Sequence, residues 1–274
     1  MQLKRILYWV TIAFLVLVIV VCGTMIVQKL ITDARDKADN EQLLSTMPSM
    51  ERPPITTGPD NSQTSPSVPP ITEPGVPEVP TEPTILWGYQ TLYEMNNDTV
   101  GFIEIPGTSI KYPVVQSKYQ ANFYLRKNFY KVGASCGTIY VREACDVFEP
   151  SDNVTIYGHK MRNGTMFADL HLYKDKDFWE DNQIIHFDTL YEFHDYEIFA
   201  VFQTEANHPG SFNYHMFDDA KDAAEFDEFV SKCKNLAYYD TGITPQYGDK
   251  LITLSTCDKD IEDGRLVVVA RRIQ

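Results

Sequence analysis

Basic residues are scarce in this chain. It carries 24 Lys and Arg against 38 Asp and Glu, a formal charge of −14. That balance argues against a nucleic-acid partner, whose affinity rests on neutralising phosphate, and fits the solubility of an exported domain. Metal and redox motifs are missing too. The five cysteines (Cys22, Cys136, Cys145, Cys233 and Cys257) contain no Cys-x-x-Cys pair, so zinc-ribbon and thioredoxin readings lose their support. In an exported protein Cys136 can pair with Cys145, which spacing alone does not establish, and burial as small hydrophobes is the commoner fate of such residues. The acids Asp218, Asp219 and Asp222 lack the Asp-x-Asp-x-Asp-Gly loop of a calcium site and are read as helix-capping. No metal or cofactor is called for, and no internal repeat is present.

What is present is unevenly distributed. Ile6–Ile26 runs without a charge. At about 1.5 Å per residue it is long enough for a hydrocarbon core of roughly 30 Å. No clean small-residue cleavage site follows, so residues 6–30 are read as an uncleaved signal anchor. Lys4 and Arg5 precede it, but Lys29, Arg35 and Lys37 follow, interleaved with Asp33 and Asp36. Because the N-terminal tail is too short to hold a domain, residues 1–5 are read as cytoplasmic and the bulk of the chain as outside, in a single-pass arrangement at the cell membrane. Eleven of the sixteen prolines fall between Met47 and Pro83, among Ser, Thr and Gly. Such a stretch builds no core, so residues 31–83 are read as a polar stalk followed by a disordered, extended linker. Residues 84–274 remain for one folded domain.

Within that domain, short apolar or alternating runs predict strands over Val100–Ile105, Ile110–Val115, Gly137–Val141, Val154–Tyr157, Ile184–Asp188, Tyr191–Gln203, Leu251–Ser255 and Arg265–Arg272. Helices are predicted over Ile85–Met95, briefly over Thr165–Leu172, and over Asp218–Asn235, where Phe226, Phe229, Val230 and Cys233 share a side. Many short strands with few helices read as a mainly β fold, a closed mixed β-barrel with helical insertions.

Three side chains carry chemistry. Ile252-Thr-Leu-Ser-Thr-Cys257 is a strand pattern that delivers a thiol, and Arg265 opens the next strand eight residues on. Asn153-Val-Thr-Ile-Tyr-Gly-His159 is a strand that delivers an imidazole, with Gly158 permitting an abrupt turn. A thiol reacts as thiolate, a histidine moves the proton, and a guanidinium stabilises an oxyanion. Cys257, His159 and Arg265 are therefore the candidate nucleophile, acid–base and oxyanion clamp. Ser255 and Thr256 are candidate substrate-binding residues, with plain strand packing as the alternative. Asp258 is a candidate orienter of His159, against an exposed, solvated acid.

This set resembles a sortase. Thr253-Leu-Ser-Thr-Cys257, Arg265 on the following strand, His159 in a Gly-His turn, and the segment Asn97–Gln116 are similar to that family across the soluble domain. The Thr-Leu-Ser-Thr-Cys form, the region Phe167–Phe178 and the long helix before the last strands resemble class B. The resemblance implies an eight-stranded barrel preceded by one transmembrane helix. It also implies a membrane-anchored cysteine transpeptidase of Gram-positive cells. Such an enzyme cleaves the C-terminal sorting signal of a secreted protein after Thr, holds it as a thioacyl enzyme, and passes it to an amine of the cell-wall precursor, or in some relatives to a pilin lysine. In class B relatives the segment corresponding to Glu205–Met216 helps shape the peptide pocket.

Three competing readings are weaker. An L,D-transpeptidase places Arg two residues after its Cys, where Lys259 stands here. A papain-type protease has its His after its Cys. A non-catalytic tethered surface-binding module accounts for anchor and linker but leaves Cys257 inert.

Overall fold

The computed structural model describes residues 2–46, 52, 83–206, 208–258, 261 and 263–273. The expected Pro/Ser/Thr-rich linker falls almost wholly outside them. Eight strands close into one barrel in the order β1 (Thr99–Glu104), β2 (Lys111–Val115), β3 (Tyr140–Val141), β4 (Asn153–Tyr157), β7 (Leu251–Asp258), β8 (Gly264–Arg272), β6 (Asp195–Glu205) and β5 (Ile184–Thr189), which returns to β1. The β2–β3 and β4–β7 pairs are parallel and the rest antiparallel, so the barrel is mixed, as expected.

The run Leu266–Ala270 has no polar alternation because both of its faces are covered. Leu266, Val268 and Ala270 point into the barrel core, while Val267 and Val269 pack under α4 (Ala223–Leu236). Strand β6 serves both layers as well, and a register shift between Ile198 and Ala200 turns Phe199 and Ala200 together toward α4. Phe226, Phe229, Val230 and Cys233 bury the facing stripe of α4. Each large apolar side chain so buried contributes about 1.5–3 kcal/mol.

Several expected boundaries shift. Helix α4 begins at Ala223, so of the three acids only Asp222 caps it, accepting from the Glu225 N–H. Asp218 instead binds Arg142, and Asp219 accepts from the Asp152 N–H. The helix predicted over Ile85–Met95 contracts to α2 (Gln90–Met95), and β3 contracts to two residues. Strand β6 starts four residues late because the Thr189 hydroxyl accepts from the N–H groups of Tyr191 and Glu192 and holds them in a turn. A short helix, α3 (Lys176–Asp181), follows Asp175, whose carboxylate caps it.

At the other end of the chain, α1 spans Gln2–Ser45 as one helix. Its apolar stretch is long enough to cross a membrane and none of it is buried. The helix continues through the polar stalk, and its last turns meet the barrel. Leu43 is buried in a cluster with Leu92, Phe102, Tyr124 and Leu190.

Candidate active site

The parallel ladder between β4 and β7 determines where the chemistry falls. It pairs Tyr157 with Ser255, and the Gly158 N–H continues it by donating to the Ser255 carbonyl at 3.1 Å. Side chains alternate along a strand. His159 and Cys257, each two residues beyond this pair, therefore emerge side by side on one face. Gly158 is needed for a reason other than an abrupt turn. A Cβ there would lie 2.5 Å from Ile139 and 2.6 Å from Phe167, inside van der Waals contact.

The His159 Nε2–H donates to the Leu125 carbonyl at 2.8 Å. A carbonyl can only accept, so this bond fixes the hydrogen on Nε2. The neighbouring Cys257 thiol is the largest reason the imidazole pKa stands above the ordinary 6.5; burial opposes it and the Leu125 bond adds to it. Strand β7 runs three residues further than its apolar pattern predicts, so Cys257 lies within the β7–β8 ladder, directly across from Arg265. Directly paired residues hold their Cβ atoms about 5 Å apart. The guanidinium is not bonded to any carboxylate among the described residues. It donates to the carbonyls of Gly264 at 2.9 Å and Asp263 at 3.2 Å.

These groups open into a cleft of ≈460 Å³ on the barrel wall. Cys257 is half-buried there, whereas Cys136, Cys145 and Cys233 are buried free thiols, so Cys136 and Cys145 do not pair. Burial pushes Cys136 and Cys145 each up to about 12. Ser255 and Thr256 are both on the cleft wall and nearly inaccessible. The Ser255 hydroxyl is bonded to the Tyr214 hydroxyl at 2.6 Å. Asp258 is neither a partner of His159 nor a solvated acid. It is buried, with Lys174 Nζ at 2.6 Å, and His159 is oriented by Leu125 instead.

Sequence reasoning did not single out Tyr140, Tyr157, Arg142 or Asn122, which line the same cleft. Tyr157 was within reach, since it stands two residues before His159 and so shares its face. The others come from loops and a two-residue strand that show no periodicity. From the segment Glu205–Met216, the cleft takes Ala206, Tyr214, His215 and Met216; Asn207 lies outside the described residues. Chemically, a thiol beside an imidazole, with a guanidinium on the neighbouring strand and solvent access, is suited to acyl transfer.

A family model described as the sortase domain matches residues 103–273. Sortase B of Listeria monocytogenes is 34% identical over 185 residues, covering 66% of this chain and 72% of that protein. The chain belongs to the sortase family, class B. Sortase B of Staphylococcus aureus aligns over 276 residues at 28% identity, covering 100% of this chain and 99% of its own length. Among solved structures, sortase B of Bacillus anthracis bound to AAEK1 superposes with a TM-score of 0.62 at 31% identity, over 69% of this chain and 86% of that one. The Staphylococcus aureus sortase B–substrate complex gives 0.63 at 28%, over 69% and 86%. As a class B sortase, the chain is a cysteine transpeptidase with the closed eight-stranded barrel of its relatives.

Proposed function

We propose that this sortase cleaves the C-terminal sorting signal of secreted proteins after Thr and transfers them to an amine of the cell-wall precursor, with Cys257, His159 and Arg265 as its catalytic residues. The observation that carries this reading is that Cys257 and His159 open side by side into one cleft, with Arg265 directly across the ladder from the thiol. With the thiol proton moved to His159, the Cys257 sulfur attacks the Thr carbonyl carbon, and the oxyanion that forms is stabilised by Arg265. The C–N bond then breaks, the departing amine takes a proton from His159, and a thioester remains. An incoming amine attacks the thioester and gives its proton to His159, and the sulfur leaves as thiolate, so the enzyme returns to its starting state. Ser255 and Thr256 contribute to the wall against which the peptide lies.

Related sortases support both ends of this reaction. One solved relative is a substrate complex, and another is a sortase B complexed with triglycine, which offers a glycine amine. The charge-free stretch of α1 supports a membrane anchor at residues 6–30, with residues 1–5 cytoplasmic and the barrel domain, residues 84–274, outside. The direct test presents a library of sorting-signal peptides together with triglycine and identifies products by mass spectrometry. Wild-type enzyme yields peptides cut after Thr and joined to triglycine, and Cys257→Ala yields neither cut nor joined product. Cleavage by Cys257→Ala at the wild-type rate would refute the proposal.

A further inference from the structure

On the barrel, well away from Cys257 in the chain, the ends of β5 and β6 that flank their connecting turn carry two carboxylates that are almost fully buried, Asp188 and Asp195, with side chains 4% and 2% exposed. Two such charges without a cation are costly, because neither is hydrated. Tyr89 donates to Asp188 at 2.6 Å, and His186 Nδ1 lies 2.5 Å from Asp195. Among the described residues, the one Lys or Arg that pairs with either acid is Arg52, from the Pro-rich region. Its guanidinium grips both oxygens of Asp188, reaches Asp195 at 2.6 Å, donates to the His194 carbonyl at 3.2 Å and stacks over Phe193 at 5.2 Å. Such a planar fork between two carboxylates, with an aromatic face beneath it, suits Arg and not Lys.

The same turn holds the far end of the Pro-rich segment, where the Leu86 N–H donates to the Leu190 carbonyl at 2.8 Å. The near end is held a second time by Leu43, which is buried in the cluster that also contains Leu190. The intervening stretch, 53–85, could reach roughly 110 Å if extended. With both of its ends on one turn, none of that reach separates the barrel from α1. We propose that the Asp188–Asp195 site is an internal guanidinium receptor for Arg52. With Leu43, it docks the membrane helix directly on the barrel, so that the connection between the two does not depend on residues 53–82.

Docking and a covalent link alone differ when the chain is cut between the two. A protease-recognition sequence placed within residues 60–68 of the full-length chain, reconstituted in vesicles, is cleaved, and barrel released to the supernatant is followed over time. Uncut protein must sediment with the vesicles, which tests the anchor separately from the docking. Docking predicts that the cut wild-type barrel stays in the pellet. It also predicts that Arg52→Glu combined with Leu43→Asp releases it about tenfold faster or more. Both substitutions lie outside the barrel strands, and peptide cleavage by the released fraction shows that the barrel is folded. Release of the cut wild type as fast as the double variant would overturn the docking. Equal retention of both would overturn the roles of Arg52 and Leu43.

Discussion

Two cysteines lie against the same strand and meet opposite chemistry. Cys145 accepts from the Thr155 N–H within β4, and its thiol points at the carboxylate of Asp218, 3.4 Å away. Cys257 meets β4 just past its end, where His159 lies beside it. Each has an arginine nearby. At Cys145 the guanidinium of Arg142 is held by both oxygens of Asp218, and burial followed by the acid pushes the thiol up to about 12. At Cys257, among the described residues, the guanidinium donates only to carbonyls, and the neighbour is a base. Neither strand placement nor an adjacent arginine therefore makes a thiol a nucleophile. What differs is whether its other neighbour adds negative charge or takes up a proton.

The most severe way to break the contrast is to remove the partners at the cleft. Cys257→Ala or His159→Ala is expected to reduce formation of the thioacyl enzyme by more than about 10³-fold, read as single-turnover cleavage of a sorting-signal peptide. Arg265→Lys keeps the charge but loses the planar fork. We expect kcat to fall by about 10²-fold with a smaller change in KM, measured by steady-state kinetics. Alkylation under native conditions should mark Cys257 and leave Cys136, Cys145 and Cys233 unlabelled in peptide mapping. With a pKa of about 12, the thiolate fraction of Cys145 at pH 7 is only about 10⁻⁵.

A finer test concerns titration. The thiol of Cys257 is the first cause of the raised His159 pKa, so Cys257→Ala should lower that pKa toward 6.5, as followed by NMR of the imidazole. In the wild type the charged imidazole persists above pH 6.5. Cleavage should decline as pH rises through the raised value, because the leaving amine loses its proton donor. The smallest effect is expected from Tyr214→Phe, which removes one hydroxyl from the bond to Ser255. About 1 kcal/mol of stability should be lost in denaturant unfolding while alkylation of Cys257 is unchanged.

The barrel, the class B sortase family and the long α4 helix were legible because each depends on local pattern or on short, ordered motifs. Strand β7 was cut short at Ser255 because Thr256, Cys257 and Asp258 lack apolar alternation. They belong to the strand through pairing with Leu266, Arg265 and Gly264, and pairing is not written locally. Helix α3 was missed because six residues are too few to show periodicity, although Asp175 with Trp179 was a usable start signal. Asp258 was misread because its partner, Lys174, is far away in sequence. Tyr140 lies on a strand of only two residues and Arg142 just past it, too short a stretch for a facing to be read from pattern.

The proposed catalytic pair depends on one parallel ladder whose strands are separated by nearly a hundred residues of chain. Contacts of that sequence separation carry a closure entropy that local contacts do not. Until they form, residue 257 has no imidazole beside it and behaves as an ordinary cysteine. A half-folded chain is thus chemically disarmed, and completion of the barrel is itself the step that arms the thiol.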